Sequence, residues 1–188
     1  MADFEECVSG CGGHANKWSQ DKFIGKNTFG SNGVCGPLAA VWIKDRKIGV
    51  NFSTDVKSQE GRDEVMQLKL NQHHYKGEDD YVAKFLHLFG LSKHFQHNFI
   101  NEVSISQLLE IATSGPGYYF IGLSDSGVGA VKISGHAFAI DMYTLKFFDP
   151  NFGQASFNNV ADLSKCFTTW FRLMYLDLRG SAYLERYF

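Results

Sequence analysis

Apolar positions change their period part-way along this chain. From about Cys35 to residue 112 they recur at helical spacing. A helix is predicted to open near Cys35 and to carry Leu38, Val41 and Trp42 inward, with Lys44-Asp45-Arg46-Lys47 as its wet end and Gly49 as its stop. Residues 62–75, with Val65, Met66, Leu68 and Leu70 among polar neighbours, predict a second helix. Residues 81–89 predict a third, with Tyr81, Val82, Phe85, Leu86 and Phe89 on one stripe and Gly90 beyond. Residues 104–112 predict a fourth, with Ser104 as cap and Ile105, Leu108, Leu109 and Ile111 facing inward.

Gly115-Pro116-Gly117 is a break, and the character changes there. Short aromatic and β-branched runs at 118–123, 135–142 and 145–148 predict strands, with Tyr143 and Thr144 as a turn and 124–129 as a loop. Residues 159–170 read as a last helix and 171–178 as a last strand. Helices first and an antiparallel sheet after is an α+β pattern. Residues 1–32 are rich in Gly, Ser, Asn and Lys with weak periodicity, so they read as a loop-rich leading segment, and 33–188 as a single domain.

Composition narrows the class. The 188 residues, 44% hydrophobic and 20% charged, fit one soluble globular domain with a real core. A net charge of −2 gives no general attraction to nucleic acid or acidic membrane, so no nucleic-acid partner is expected. No apolar run is long enough to span a membrane. The opening Met1-Ala2-Asp3-Phe4-Glu5-Glu6 is acidic and lacks an apolar signal core, which predicts synthesis in a cytosol. The four cysteines do not form a disulfide framework pattern.

Three residues carry candidate chemistry. Cys35 follows Gly33 at a predicted helix start, where free N–H groups and the helix dipole lower a thiol pKa. His136 lies in the alternating run Gly135-His136-Ala137-Phe138-Ala139-Ile140, with Phe138 and Ile140 on its face and Ala137 and Ala139 on the other. Asp149 ends the next apolar run and is a natural acceptor for the second ring nitrogen of His136. Each alone has a bland reading: a core cysteine, a satisfied core histidine, a turn acid before Pro150. Their order and settings together favour nucleophile, base and orienting acid. An oxyanion donor is needed as well, and the backbone N–H of Cys35 with Asn32 or Asn27 are the candidates.

At Gly33-Val34-Cys35, Gly135-His136-Ala137-Phe138-Ala139 and Phe147-Phe148-Asp149-Pro150-Asn151-Phe152-Gly153 the chain resembles the YopT/AvrPphB-type cysteine proteases, a papain-like group of bacterial effectors. The resemblance implies a helical part carrying Cys35 packed on an antiparallel sheet carrying His136 and Asp149, in one papain-like domain. It implies a thiol protease acting on a protein of a host or target cell through an acyl-enzyme. It also implies synthesis in a bacterial cytoplasm and delivery without a cleaved signal peptide. The same triad serves glutamine deamidases, transglutaminases and peptidoglycan amidases, and a catalytically degenerate binding module is a further alternative.

No cofactor or metal is expected. Cys7, Cys11 and His14 lack an evident fourth ligand and read as loop residues, and Cys166 as core. His73, His74, His87, His94 and His97 read as a solvated helical face. Gly10-Cys11-Gly12-Gly13 follows no strand and lacks the Lys-Ser/Thr of a phosphate loop.

Overall fold

The computed structural model describes residues 3–21, 33–74, 81–100, 104–124, 135–175, 178 and 180–188. The helices are α1 (Phe4–Gly10), α2 (Cys35–Ile48), α3 (Phe52–Asp55), α4 (Gln59–His74), α5 (Tyr81–His87), α6 (Ile105–Ala112) and α7 (Val160–Met174). The strands are β1 (His14–Lys17), β2 (Lys93–Ile100), β3 (Tyr118–Ser124), β4 (Gly135–Asp141), β5 (Lys146–Asp149), β6 (Gly153–Ser156) and β7 (Ser181–Tyr187). They form one seven-stranded sheet in the order β1-β6-β5-β4-β3-β7-β2, with every pairing antiparallel. The mixed helix and antiparallel sheet agree with the α+β expectation. No helix among the described residues is long and apolar enough to cross a membrane.

The alternation along β4 sorts the core into two layers. Phe138 and Ile140 pack with α1, α6 and α7, together with Tyr119, Ile121 and Phe147 from neighbouring strands. Ala137 and Ala139 face the opposite side, where α2 to α5 lie. The two alanines present little bulk, which lets the wholly buried face of α2 approach the sheet. Trp42 of α2 stacks on Phe148, with centroids 5.6 Å apart and planes 7° apart, and its indole N–H donates to Gln154 Oε1 at 3.1 Å. Gly49 ends α2 at φ +73, the left-handed position that only glycine takes without strain.

Several elements differ from the sequence reading. The leading segment is not all loop: α1 is capped by Asp3, whose carboxylate accepts from the Glu5 N–H at 2.8 Å, and β1 pairs with β6 at one sheet edge. The predicted strand 171–178 is instead the end of α7, which runs to Met174, and the strand follows at β7. Leu163, Cys166, Phe167, Trp170 and Phe171 form one continuous buried helical stripe, so tertiary packing overrides the β preference of the aromatics. The wet end assigned to α2 is buried at Lys44 and Asp45, because α3 and α4 cover it. Lys44 Nζ sits 3.0 Å from Asp45, 2.9 Å from Asp55 and 2.6 Å from Glu64. His94 and His97 lie exposed on strand β2 rather than on a helix, and His87 is exposed at the end of α5.

Candidate active site

Cys35, His136 and Asp149 converge from three elements. Cys35 is the first residue of α2 and is half-buried. His136 is the second residue of β4, and Asp149 the last of β5. The hairpin between these strands pairs Ala139 with Phe148, so His136 and Asp149 lie at the same end of the sheet. His136 Nε2 stands 2.9 Å from Asp149 Oδ1, which leaves Nδ1 for the thiol. His136 and Cys35 are close enough for each to shift the other's proton affinity.

Asp149 is fully buried, and four donors surround its carboxylate. Oδ1 accepts from His136 and from the Asn151 N–H at 2.9 Å. Oδ2 accepts from the Trp170 indole at 3.0 Å and the Tyr175 hydroxyl at 2.8 Å. A buried carboxylate is stable only when satisfied in this way. Tyr175 also brings its hydroxyl within 3.1 Å of His136 Nε2.

Electrostatics favour an ion pair between thiol and imidazole. Burial alone would push the Cys35 thiol up. The hydrogen bond and charge of His136, with the backbone N–H groups of Ala137 and Gly36, outweigh burial and leave the thiol below its ordinary value. Burial likewise works against a charged His136. The charge and hydrogen bond of Asp149, followed by those of Cys35, reverse this and raise His136 to about 10. The half-buried thiol beside this pair is arranged to attack an electrophilic carbon as a thiolate.

The supporting polar groups were not anticipated from the sequence. Lys69 of α4 is buried and donates to the Gly33 carbonyl at 3.3 Å, bracing the turn before Cys35. Gln20 bridges the two turns of the site. Its side-chain carbonyl accepts from the Val34 N–H at 3.2 Å, its amide donates to Asn151 Oδ1, and its backbone N–H donates to the Pro150 carbonyl at 2.8 Å. Asn151 in turn donates to the Tyr175 hydroxyl at 3.2 Å. The oxyanion candidates Asn32 and Asn27 lie outside the described residues. None of these partners has a local sequence signal; Trp170 and Tyr175 look like ordinary core aromatics until the fold brings them onto Asp149.

The chain is similar to the cysteine protease YopT1 of Yersinia enterocolitica, at 28% identity over 90% of this chain and 62% of that protein. The match thus spans less than two-thirds of that relative's length. In structure it is similar to the Pseudomonas avirulence protein AvrPphB, with a TM-score of 0.62, 15% identity, and coverage of 96% of this chain and 99% of that one. The chain is YopT/AvrPphB-like in sequence and in fold. No protein-family model matches it. The AvrPphB likeness accounts for the antiparallel sheet with helices on both faces. The YopT1 likeness extends over nearly the whole chain, so it is not confined to the three short motifs.

Proposed function

We propose that this chain is a papain-like thiol protease that cleaves a protein substrate, with Cys35 as nucleophile, His136 as general base and acid, and Asp149 as the acid that orients His136. The observation that carries the proposal is the half-buried Cys35 thiol, lowered by His136, whose ring Nε2 is 2.9 Å from buried Asp149. The thiolate attacks the scissile carbonyl to give a tetrahedral oxyanion. His136 then passes its proton to the leaving amine as the acyl-enzyme forms. Water, deprotonated by His136, attacks the thioester and releases the acid product.

The oxyanion is held by the Cys35 backbone N–H and a side-chain amide. Asn32 and Asn27 remain the candidates for that amide. Gln20 joins them, because it already bonds the Val34 N–H beside the nucleophile. The similarity to a Yersinia protease and a Pseudomonas avirulence protein supports the reading of a bacterial effector delivered into a target cell.

The test is a search for new protein N-termini in a cell extract exposed to the wild-type chain or to Cys35→Ala. Cleavage that depends on Cys35 is expected. Equal cleavage by the variant sinks the proposal. Ammonia release from protein glutamine without new N-termini replaces proteolysis by deamidation.

A further inference from the structure

Three cysteines outside the active site meet in space. Cys7 lies on α1 and Cys11 caps its C-terminus, one helical turn apart on the same face. Cys166 faces them from α7. Their three sulfur atoms all lie within 4.8 Å of one another. Cys11 and Cys166 are buried, while Cys7 is half-buried and gives an approach from solvent. All three are free thiols. His14, grouped with Cys7 and Cys11 on sequence spacing, lies exposed on β1 and does not join them; Cys166, from the far end of the chain, takes its place.

We infer that Cys7, Cys11 and Cys166 form a binding site for a single thiophilic d10 cation, Cu(I) or Zn(II), that clasps α1 to α7. Sulfurs bound about 2.3 Å from one ion lie roughly 3.8–4.0 Å apart, so the observed spread needs only a small closure. Among the described residues no histidine or carboxylate joins the cluster. An all-thiol set selects soft cations over magnesium, calcium or manganese. Three sulfurs satisfy Cu(I) directly; Zn(II) would take a fourth ligand from solvent on the Cys7 side. A thiol ligates a cation as its thiolate, so each sulfur that carries a proton gives it up on binding. Binding therefore forms three metal–sulfur bonds and releases to solvent the protons these thiols carry.

The site differs from a chance packing of core cysteines in what it connects. Cys166 lies one helical turn before Trp170, whose indole donates to Asp149. An ion at the cluster fixes the part of α7 that holds the buried acid. The inference does not depend on the protease reading, since it concerns metal retention alone.

The experiment uses the full chain carrying Cys35→Ala, so that the only thiols are those of the cluster. The reduced protein is loaded with Zn(II), Co(II) or Cu(I) and desalted against a weak chelator. Metal content, proton release and thiol reactivity are then measured. The expected result is a single retained ion per chain, protection of all three thiols, a thiolate-to-cobalt charge-transfer band and a rise in Tm. Adding Cys166→Ala should reduce retention to background and abolish the rise in Tm. If that variant does not fold, Cys7→Ser, at the half-buried position, reads the same loss. Tighter retention of Cu(I) or of Zn(II) decides between the two ions. Failure to retain any metal, retention that ignores both substitutions, or oxidation to a disulfide in place of binding overturns the inference.

Discussion

The phenol ring of Tyr175 lies flat on the imidazole of His136, with 4.6 Å between centroids and 11° between planes. The same side chain donates to Asp149 at 2.8 Å. One residue thus restrains both His136 and Asp149. The stack stops the imidazole from rotating out of line, and the hydroxyl fixes the carboxylate.

The two restraints separate by mutation. Tyr175→Phe keeps the stack and removes the donor to a buried carboxylate. Hydrogen bonds to charged groups contribute about 1.5–3 kcal/mol, so turnover should fall roughly ten- to a hundredfold with KM little changed. Tyr175→Ala loses the stack as well and should cost about 3–5 kcal/mol of stability. Steady-state kinetics and thermal melts check both. Wild-type turnover in Tyr175→Phe would leave the hydroxyl without a part in the mechanism.

Thiol alkylation against pH reports the ion pair directly. Cys35 is lowered and His136 raised to about 10, so reactivity should persist well below the ordinary thiol range and lose its imidazolium support near pH 10. His136→Ala removes the largest groups that lower the thiol and leaves its burial and the backbone N–H groups of Ala137 and Gly36. The midpoint should therefore move upward. Stability follows the same signs. The His136 contribution is fully present below the ordinary imidazole value of 6.5 and is lost as pH rises through about 10. That of Cys35 is present above 9.0 and is lost as pH falls through its lowered value. An unshifted alkylation profile in His136→Ala would remove the pair.

Asp149→Asn places an amide where four donors converge. Its NH2 group faces a donor and can present the imidazole with the wrong partner. Turnover should fall by orders of magnitude, up to about 10⁴-fold as in another protease triad. Because the site is fully buried, stability should also drop by about 1–3 kcal/mol. The near-equal size of the amide does not spare the fold, because the ring of donors around Asp149 suits a carboxylate. Comparable activity in the folded variant would remove Asp149 from the mechanism.

Lys69→Met tests a charge near Cys35. The Lys69 ammonium is held low by burial and raised by the Cys35 charge, so by reciprocity it favours the Cys35 thiolate. The substitution should move the alkylation midpoint upward and loosen the Gly33 turn. An unchanged midpoint would confine Lys69 to packing.

Lys44→Met is the matching structural test, remote from the thiol chemistry. Asp45 is fully buried, and burial pushes its carboxyl up to about 7 even with Lys44 beside it. Removing the cation should destabilise the chain by about 3–5 kcal/mol while leaving the Cys35 alkylation profile in place. Denaturant melts and alkylation rates read the two effects separately.

The legible residues were those whose local setting carries the signal. Cys35 opens a helix, His136 sits in strict alternation, and Asp149 closes an apolar run; the structure brings the three together. Gln20, Lys69, Trp170 and Tyr175 were not legible, because their roles exist only across elements far apart in sequence. Phe171 read as strand because aromatics suit strands, yet it continues the buried stripe of α7. Lys44 and Asp45 read as solvated because charge usually is; here Asp55 of α3 and Glu64 of α4 fold over them. β1 was hidden because its four residues are short, polar and mostly exposed.

The order of strands carries a consequence for synthesis. β2 joins the sheet only through β7, and β3 has β7 as its second neighbour. Residues 93–100 therefore leave the ribosome with no β partner, and they wait until 181–187 have emerged. Such distant pairing makes sheet closure a late event, completed after translation has passed every other described strand. Until then β3 stays open on one side, and the scaffold beneath His136 is incomplete. A truncation before Ser181 leaves β2 and one edge of β3 without a partner and should yield an insoluble product.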